Sequence, residues 1–489
     1  MISVILVNPL HRFGKGVFND PALPLSLLTA ASPLDNAGYS IKIIDQQVQS
    51  GWKKILLTEL KKGALCVGVT CMTGPQIRYA LEISKIVKQN SSIPVIWGGT
   101  HPSLLPVQTL ENENIDIVVQ GEGEETFLEL VGALKNKTSL DTVKGICYKQ
   151  NNKIKQNPSR PFVDLNNQPP LAYYLIDIDK YLEKRFQYRA IRTFSSRGCT
   201  YNCSFCYNQS FNLGKWRALT ADETIKRVKE LAETYKINSI IFCDDNFFND
   251  IPRAREILKR FASQQLGLTL FKIDIRPDTL FSLDDETLKL LKQSGCLNVA
   301  IGLESGSERI LKLLNKNITV AQILVVNQRL KALGIIPSYT FMVGYPTETL
   351  QEVKETITLI LRLIREYPQI IKKLHIYTPL PGTELFDSSI RNGLILPQKL
   401  QDWIRFNYRT INLPWLSKEM WGLLRMLNFC SIFLEYNSFF NPEIRMSPFV
   451  RLAARLYRPI ARWRVEKLIW RFPLEMKLAD WLGFYRRQV

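Results

Sequence analysis

Three cysteines lie close together in the stretch RGCTYNCSFCY, which runs from Arg197 to Tyr207. Cys199, Cys203 and Cys206 have the spacing C-x3-C-x2-C. Three thiolates on one short loop can bind three irons of a 4Fe–4S cluster and leave the fourth iron open to a ligand. An open iron is a reactive centre, whereas a fourth cysteine would make a closed electron carrier. We therefore predict that these three cysteines bind a 4Fe–4S cluster.

A structural zinc site and three unpaired buried cysteines are the alternatives for this loop. Zinc normally takes four ligands in two closely spaced pairs. The nearest candidates for a fourth ligand, Cys147 and Cys243, each stand alone in the sequence. We expect Cys243 to be a small buried hydrophobic residue rather than a ligand.

The cysteine spacing and its flanking residues resemble those of the radical S-adenosylmethionine (SAM) superfamily. The resemblance implies that the open iron binds the methionine half of SAM and that one electron from the cluster cleaves SAM to a 5′-deoxyadenosyl radical. It also implies that the backbone of Tyr207 contacts the adenine. Many members carry a GGEP-like motif after the second barrel strand, where this chain has Asp244 and Asp245. One of these carboxylates is expected to accept hydrogen bonds from the methionine ammonium, and a helix N-cap is the alternative.

Two further polar residues follow predicted barrel strands. Arg276 ends the third strand and is expected to pair with the SAM carboxylate in bidentate fashion. Glu304 leaves the fourth strand and is expected to bind the ribose or the amine. An ordinary salt bridge within the barrel is the alternative for each. The motifs VGYPTET and TPLPGTELFD extend the resemblance over most of Ile191 to Asp387.

The first part of the chain alternates short apolar runs with amphipathic stretches, which predicts a doubly wound parallel sheet. The expected strands are Val4–Val7, Ile41–Ile44, Leu65–Val69, Val95–Trp97 and Ile117–Val119. The expected helices include Ile77–Lys88 and Glu124–Leu134, with Gly38 and Gly63 as helix stops. Ligands of such sheets bind at the carboxyl ends of the strands.

Two glycine-containing runs, WGGTHPSLLP and DIVVQGEGEETF, follow strands of this sheet and let backbone approach a ligand closely. They resemble the cobalamin-binding domain that precedes the barrel in one class of radical SAM proteins. The resemblance implies corrin contacts by Gly98, Gly99, His101, Gly121, Glu122 and Gly123. Cobalamin proteins with D-x-H-x-x-G ligate cobalt through the histidine, but this chain has Pro9 in place of the aspartate before His11. Because the carboxylate that would orient the imidazole is missing, cobalt without a protein histidine is expected.

A second alternation begins at Ile191 and predicts six β/α units, too few for a closed eight-unit barrel. The expected strands are Ile191–Ser195, Ser239–Cys243, Leu268–Ile273, Asn298–Gly302, Ser338–Val343 and Lys373–Tyr377. We therefore predict an α/β protein with a Rossmann-like domain (1–140), a linker (141–190), a partial (β/α)6 TIM-type barrel (191–393) and a mostly helical, basic C-terminal cap (394–489).

Cysteine content and charge limit the compartment and the binding partners that can be expected. Nine cysteines without a secretory leader favour a reducing cytoplasm, and no apolar run is long enough to span a bilayer. The net charge is +19, and residues 450–489 carry ten Arg or Lys against three acidic residues. Leu452, Leu456, Ile460 and Trp463 recur at helical spacing beside arginines, so this region either lies on the inner face of the membrane or packs on the barrel. Pro459 is expected to interrupt that helix. No nucleic-acid reader module accompanies the charge, so nucleic acid is not expected as a partner.

The resemblance implies a cobalamin-dependent radical SAM enzyme that methylates an unactivated carbon through the 5′-deoxyadenosyl radical and methylcobalamin. The expected partners are a small-molecule or lipid-like substrate and an external one-electron donor such as flavodoxin or ferredoxin. Radical cyclisation, rearrangement or C–C coupling without methyl transfer is the first alternative, and a cobalamin sensor without catalysis is the second. A methylthiotransferase would use a second cluster on Cys66, Cys71 and Cys147, which the predicted sheet keeps apart.

Overall fold

The computed structural model describes residues 3–11, 21–185, 187–263, 266–407, 410–434 and 448–481. In this part of the chain the first sheet has seven strands in the order β2-β1-β3-β4-β5-β6-β7. The strands are β1 (Ser3–Asn8), β2 (Ser40–Asp45), β3 (Ala64–Thr70), β4 (Val95–Gly98), β5 (Ile117–Val119), β6 (Ile146–Gln150) and β7 (Lys153–Gln156). The helices are α1 (Leu25–Asn36), α2 (Trp52–Lys61), α3 (Gln76–Asn90), α4 (Thr100–Leu104), α5 (Pro106–Leu110) and α6 (Glu124–Asn136).

The first five strands are parallel, which confirms the predicted doubly wound sheet. Their apolar runs are buried on both faces, and Val4 to Val7 are almost completely inaccessible to solvent. The hairpin β6–β7 joins the sheet by antiparallel pairing of β6 with β5. The sheet therefore continues beyond residue 140, into the range predicted as a linker. The division of the chain into domains at the stated residues stays a prediction.

The second sheet curls into the predicted open barrel, with the order β16-β15-β14-β13-β12-β9-β8 in the described residues. Six of its strands are parallel, and β8 pairs antiparallel with β9 at one edge. The strands are β8 (Glu183–Arg185), β9 (Tyr188–Thr193), β12 (Ser239–Phe242), β13 (Thr269–Asp274), β14 (Asn298–Glu304), β15 (Ile336–Val343) and β16 (Ile371–Ile376); β10 (Ser196–Arg197) and β11 (Arg217–Ala218) form a separate small pair.

Helices alternate with the barrel strands and begin at residues that cap them. Thr319 forms a capping box with Gln322, and Thr220 accepts a hydrogen bond from the amide of Glu223. The helices of this region are α7 (Asn208–Phe211), α8 (Ala221–Tyr235), α9 (Ile251–Ala262), α10 (Pro277–Ser282), α11 (Asp285–Gln293), α12 (Glu308–Leu313), α13 (Val320–Leu333), α14 (Leu350–Glu366) and α15 (Glu384–Arg391).

The C-terminal region adds the helices α16 (Lys418–Ser431), α17 (Pro448–Lys467) and α18 (Leu474–Trp481). The α16 helix packs against β16 at the open edge of the barrel, and α17 packs on α16. The expectation that Pro459 interrupts the helix is wrong, because α17 runs through it. Proline removes one backbone hydrogen bond there, but Ala454 and Ala461 on either side are buried and hold the helix in place. Among the described residues, no helix is both long and apolar enough to cross a bilayer.

Candidate active site

The three clustered cysteines lie on the loop after β9, at the carboxyl end of the first parallel barrel strand. Cys199 and Cys203 are buried, and Cys206 is half-buried. The middle of the loop is held by Ser204, whose hydroxyl donates to the carbonyl of Leu313 at 2.9 Å. The amide of Cys206 donates to the carbonyl of Cys203 at 3.0 Å. The fold therefore brings the three thiols into one small region at the mouth of the barrel.

Burial raises the pKa of the Cys206 thiol to about 11 and also raises the pKa of Cys199. A cysteine binds a metal as the thiolate, and burial disfavours this charged form. The positive charge of the iron would therefore have to stabilise the thiolates. Among the described residues, no three His, Cys, Asp or Glu side chains converge closely enough to hold a single metal ion. A 4Fe–4S cluster instead takes its thiolates at separate corners of a cube. The cysteines thus fit a cluster, and their binding of it stays a prediction.

The acidic pair after β12 fixes the approach to the first cysteine. Asp244 is buried and accepts hydrogen bonds from the amide and hydroxyl of Ser195, at 2.7 and 2.6 Å, and from the hydroxyl of Ser196 at 2.6 Å. Asp245 accepts a hydrogen bond from the amide of Gly198 at 2.7 Å and faces open space. Burial raises the pKa of both carboxyls. The hydrogen bonds of Asp244 thus hold the loop in place, and Asp245 is the member of the pair that is accessible to a ligand.

Gly198 is required at its position by geometry. Its φ is +83°, and a Cβ atom there would lie 2.0 Å from the carbonyl oxygen of Lys215. A side chain would therefore be strained and would also collide with backbone. This tight crossing sets the direction in which Cys199 enters the loop.

Arg276 lies against the cluster loop rather than projecting freely from β13. Its Nη1 is 3.0 Å from the Sγ of Cys203, and its Nη2 donates to the carbonyl of Lys316 at 2.8 Å. Its Nε pairs with Asp278 at 3.0 Å, and the guanidinium lies 3.7 Å from the ring centre of Tyr201. Every nitrogen of the guanidinium is thus engaged within the protein. The geometry favours a role in orienting Cys203 over the predicted pairing with the SAM carboxylate.

Glu304 and its neighbours form a buried polar group that is only partly satisfied. Glu304 has a φ of +68°, and its Oε1 is 3.1 Å from the Nζ of Lys316. Its Oε2 and the hydroxyl of Tyr345 are buried without a hydrogen-bond partner in the protein. Glu348 has a similar unpartnered oxygen, and burial raises its pKa to about 7. Unsatisfied buried oxygens cost free energy unless a ligand supplies donors. The residues therefore fit a ligand with amine or hydroxyl groups, as SAM has.

A cavity of about 340 Å³ lies between the first sheet and the barrel. One wall is formed by the carboxyl ends of β3, β4 and β5, and the other by the barrel loops. Its wall includes Thr70, Gly98, Gly99, Gly121, Glu122, Gly123, Phe194, Tyr207, Cys243 and Asp245. The glycines predicted for cobalamin thus open into the same space as Tyr207 and Asp245, two of the residues predicted for SAM.

The glycines predicted to contact the corrin occupy their positions for different structural reasons. Gly99 has a φ of +100°, and a Cβ there would lie 2.8 Å from the carbonyl oxygen of Cys71. Gly121 has a φ of +71° with no atom within 4 Å of such a Cβ, so only its backbone conformation favours glycine. Gly98 and Gly123 would meet neighbours only at ordinary contact distance. Bare backbone on this wall fits a large flat ligand that must approach closely.

Glu122 joins the first sheet to the cluster loop. Its Oε1 is 3.0 Å from the Nη1 of Arg197 and 2.8 Å from the Nη2 of Arg217, and its Oε2 accepts from the amide of Val163 at 3.0 Å. Arg197 also pairs with Glu124 at 2.6 Å. Burial alone lowers the pKa of Arg197, but Glu124 and Glu122 outweigh it and raise that pKa. The Glu122 carboxylate is therefore engaged in a buried ion network, which we call the bridging network. Glu122 also lines the cavity, and its contact with the corrin stays a prediction.

The two histidines weighed for the cobalamin site lie in different places. His101 is buried outside the cavity wall, with its Nδ1 3.0 Å from the hydroxyl of Thr73 and its ring 5.6 Å from that of Trp403. Burial lowers the pKa of His101 to about 4, so the ring is neutral. The predicted corrin contact of His101 is thus not supported by its position. His11 follows β1 in an irregular segment, and Gly14 of the sequence pattern lies outside the described residues.

The remaining cysteines correct one expectation and bear on another. Cys243 is exposed on the cavity wall, so the expectation that it is buried is wrong. The strand ends one residue earlier than predicted, which turns Cys243 toward the cavity. Cys66, Cys71 and Cys147 are buried and free, and the described residues hold no cluster of metal ligands there.

Sequence reasoning missed the contribution of α1 to the cavity. Leu25, Ser26 and Ala30 line it, and the hydroxyl of Ser26 lies 3.4 Å from that of Thr70. The position of Thr70 at the end of a buried strand was a usable signal. No sequence pattern indicated that the first turns of α1 reach the same space.

The sequence matches two family models. It matches the one described as "Radical SAM superfamily" over residues 193–360 and the one described as "B12 binding domain" over residues 14–131. The chain is 33% identical to the "Uncharacterized methyltransferase PH0819" of Pyrococcus horikoshii over 81% of this chain and 84% of that protein. It is 27% identical to an anaerobic magnesium-protoporphyrin IX monomethyl ester cyclase of Rubrivivax gelatinosus, over 79% of this chain and 69% of that protein.

Solved structures share the fold. The cobalamin-dependent S-adenosylmethionine radical enzyme OxsB with aqua-cobalamin bound matches 99% of this chain and 76% of its own, with a TM-score of 0.74 and 21% identity. The radical SAM methyltransferase TsrM of Kitasatospora setae, bound to tryptophan and a SAM analogue, matches 96% of this chain and 99% of its own, with a TM-score of 0.70 and 17% identity.

Proposed function

Because the chain belongs to the cobalamin-binding radical SAM enzymes, we propose that it transfers a methyl group to an unactivated carbon of its substrate. The observation that carries this proposal is a cavity that is lined on one side by the predicted corrin residues Gly98, Gly99 and Gly121 and on the other by Tyr207 and Asp245 of the predicted SAM site. Methyl transfer to a carbon radical needs the hydrogen-abstracting group and the methyl donor to face one substrate position. A sensor would need only the corrin side of this space.

When bound, the cluster supplies the electron that cleaves SAM, and cobalamin supplies the methyl group. Cys199, Cys203 and Cys206 would hold the cluster, and Arg276 orients Cys203 through their 3.0 Å contact. Asp245 would accept hydrogen bonds from the methionine ammonium of SAM, because it lines the cavity and the Gly198 amide uses only its Oδ2.

The unpartnered oxygens of Glu304 and Tyr345 would accept hydrogen bonds from the amine and hydroxyl groups of the same ligand. Glycine backbone at Gly98, Gly99 and Gly121 would let the corrin approach the strand ends. Phe127 and Phe194 line the same cavity and would limit the access of bulk water to a bound substrate.

Enzymes of this family use a one-electron reductant and a small-molecule substrate. We propose flavodoxin or ferredoxin as the donor and a lipid-like molecule as the substrate. The second proposal is supported by the exposed apolar and basic surface of the C-terminal helices.

The proposed reaction is tested with anaerobically reconstituted enzyme, SAM carrying an isotopically labelled methyl group, and a lipid extract as the source of substrate. Wild-type enzyme should transfer label to a product, and Cys203→Ala should abolish both the iron–sulfur absorption and the transfer. Cys296→Ala is the matched control, since Cys296 is also a buried thiol but lies away from the loop. A product that forms without label would instead indicate cyclisation or rearrangement, and a Cys203→Ala protein of undiminished activity would refute radical chemistry.

A further inference from the structure

The α17 helix exposes its large apolar side chains. Leu452, Leu456, Ile460 and Trp463, which we call the outer row, have 56%, 70%, 50% and 52% of their surface exposed. At about 100° per residue, the four side chains fall within an arc of about 80° on one side of the helix. A contiguous exposed row of this kind marks an interaction surface.

The outer row is not the face by which α17 packs on the protein. Ala454, Ala461 and Val465 lie on the opposite side of the helix and are almost completely buried. Ala454 packs against Ile432 and Phe433 near the end of α16. These residues and Tyr457, whose ring lies 4.8 Å from that of Phe433, face the protein, whereas four large apolar side chains face outward. Packing on the barrel alone would not favour the exposure of four such side chains.

Positive charge flanks the outer row. The residues of α17 include six Arg or Lys and one acidic residue. Arg455 and Arg462 are exposed and lie beside the outer row on the helical wheel. Arginines next to an apolar row can bind lipid phosphates while their stems cover apolar surface.

The exposed apolar surface continues into α18, which is fixed relative to α17. Arg464 of α17 donates to the carbonyls of Arg471 and Phe472, at 3.0 and 2.9 Å, and pairs with Glu475. Phe472, Leu474 and Leu478 are 78%, 69% and 55% exposed. The two helices therefore present apolar side chains on a rigid support rather than on a loose tail.

We propose that α17 and α18 dock this protein on an anionic membrane surface, with the outer row inserted among the lipid headgroups and Arg455 and Arg462 at the phosphates. An interfacial helix of this kind lies in the plane of the membrane and does not cross it. A second copy of the chain is a poorer occupant, because symmetric contact through this face would bring the arginines of two copies together. The proposal does not depend on the proposed methyl transfer.

The test is sedimentation of the full-length protein with vesicles of phosphatidylglycerol or of phosphatidylcholine. We expect binding to phosphatidylglycerol that weakens as salt is added, and much weaker binding to phosphatidylcholine. The double variant Leu456→Glu and Trp463→Glu should lower the bound fraction at least about tenfold. The matched control is Leu350→Glu with Ile395→Glu, which makes the same charge change at exposed apolar residues outside α17 and α18 and should bind as the wild type does.

A second pair of variants isolates the charge. Arg462 and Arg362 each pair with a glutamate four residues later at 2.8 Å and are similarly exposed. Arg462→Gln should weaken binding to phosphatidylglycerol about fivefold, and Arg362→Gln should leave it unchanged. Failure of the wild type to bind phosphatidylglycerol would overturn the proposal. So would equal losses in both double variants, or a lipid-free dimer that Leu456→Glu with Trp463→Glu dissociates.

Discussion

The bridging network makes Glu122 a sensitive point of the structure, and Glu122→Gln tests it. The side chain of Glu122 is 6% exposed, and those of Arg197 and Arg217 are 20% and 14% exposed. The variant keeps the size of the side chain and an acceptor for the amide of Val163. It removes the charge that faces both guanidinium groups and sets an amide donor against them.

The magnitude follows from the burial of these groups. Breaking a buried ion pair from one side costs about 3–5 kcal/mol, because an uncompensated charge is left behind. Arg197 keeps Glu124, so the lower end of about 3 kcal/mol is expected for Glu122→Gln. For a cooperative unit of a few hundred residues, this loss lowers the melting temperature by about 3–6 °C.

The assay is differential scanning calorimetry of the wild type, Glu122→Gln and the control Glu125→Gln. Glu125 lies three residues after Glu122, in the first turn of α6, but its side chain is 49% exposed and its nearest Arg160 nitrogen is 3.6 Å away. A surface pair of this kind contributes less than about 1 kcal/mol. Iron incorporation and cobalamin binding are measured on the same samples, and both should fall in Glu122→Gln because the network connects both sites.

Equal melting temperatures for the two variants would refute the assignment of a buried, stabilising network. Loss of cobalamin binding with normal iron incorporation would instead show that Glu122 contacts the corrin and does not position the cluster loop.

Four other substitutions have definite expected outcomes. Gly198→Ala should prevent cluster incorporation and lower the free energy of unfolding by at least about 2 kcal/mol, because the new Cβ would collide with backbone. Gly121 also has a positive φ but has open space around it, so Gly121→Ala should lower the free energy of unfolding by only about 1 kcal/mol. Denaturant titrations measure both values. Arg276→Lys should weaken iron binding about tenfold in a competitive chelation assay, because an ammonium cannot replace all the contacts that hold Cys203. For Glu348 the folded pKa of about 7 lies above its usual 4.5, so its contribution to stability is complete below pH 4.5 and is lost as the pH rises through 7. The apoprotein with Glu348→Gln should therefore be more stable than the wild type at pH 8 by about 3 kcal/mol and equal to it at pH 4, in denaturant titrations at the two pH values.

Much of the fold follows from local patterns in the sequence. The predicted strands of both sheets match the observed ones within a few residues, and the predicted helix Ile77–Lys88 is observed as Gln76–Asn90. Apolar runs and glycine stops depend on neighbours within a few positions, so they can be recognised without knowing the tertiary structure. Pro459 was misjudged because the burial of α17 compensates for a local helix-breaking tendency.

The candidate site was likewise predictable in part. Its location at the carboxyl ends of the strands was predicted from the order of the elements. The specific roles of its polar residues were not, because long side chains choose partners that the fold brings near. Asp244 holds Ser195 from 49 residues away, and Arg276 contacts Cys203 from 73 residues away.

By itself, the sequence determined the close spacing of Cys199, Cys203 and Cys206 on one loop, the two α/β sheets and the family to which the chain belongs. Spacing on one loop and hydrophobic period are properties of the chain alone, so no packing was needed to recognise them. Only the tertiary structure decided that Glu122 joins Arg197 across 75 residues, that a cavity lies between the sheets, and that α17 turns the four side chains of its outer row outward. These features depend on which surfaces meet, and that depends on the packing of the whole molecule.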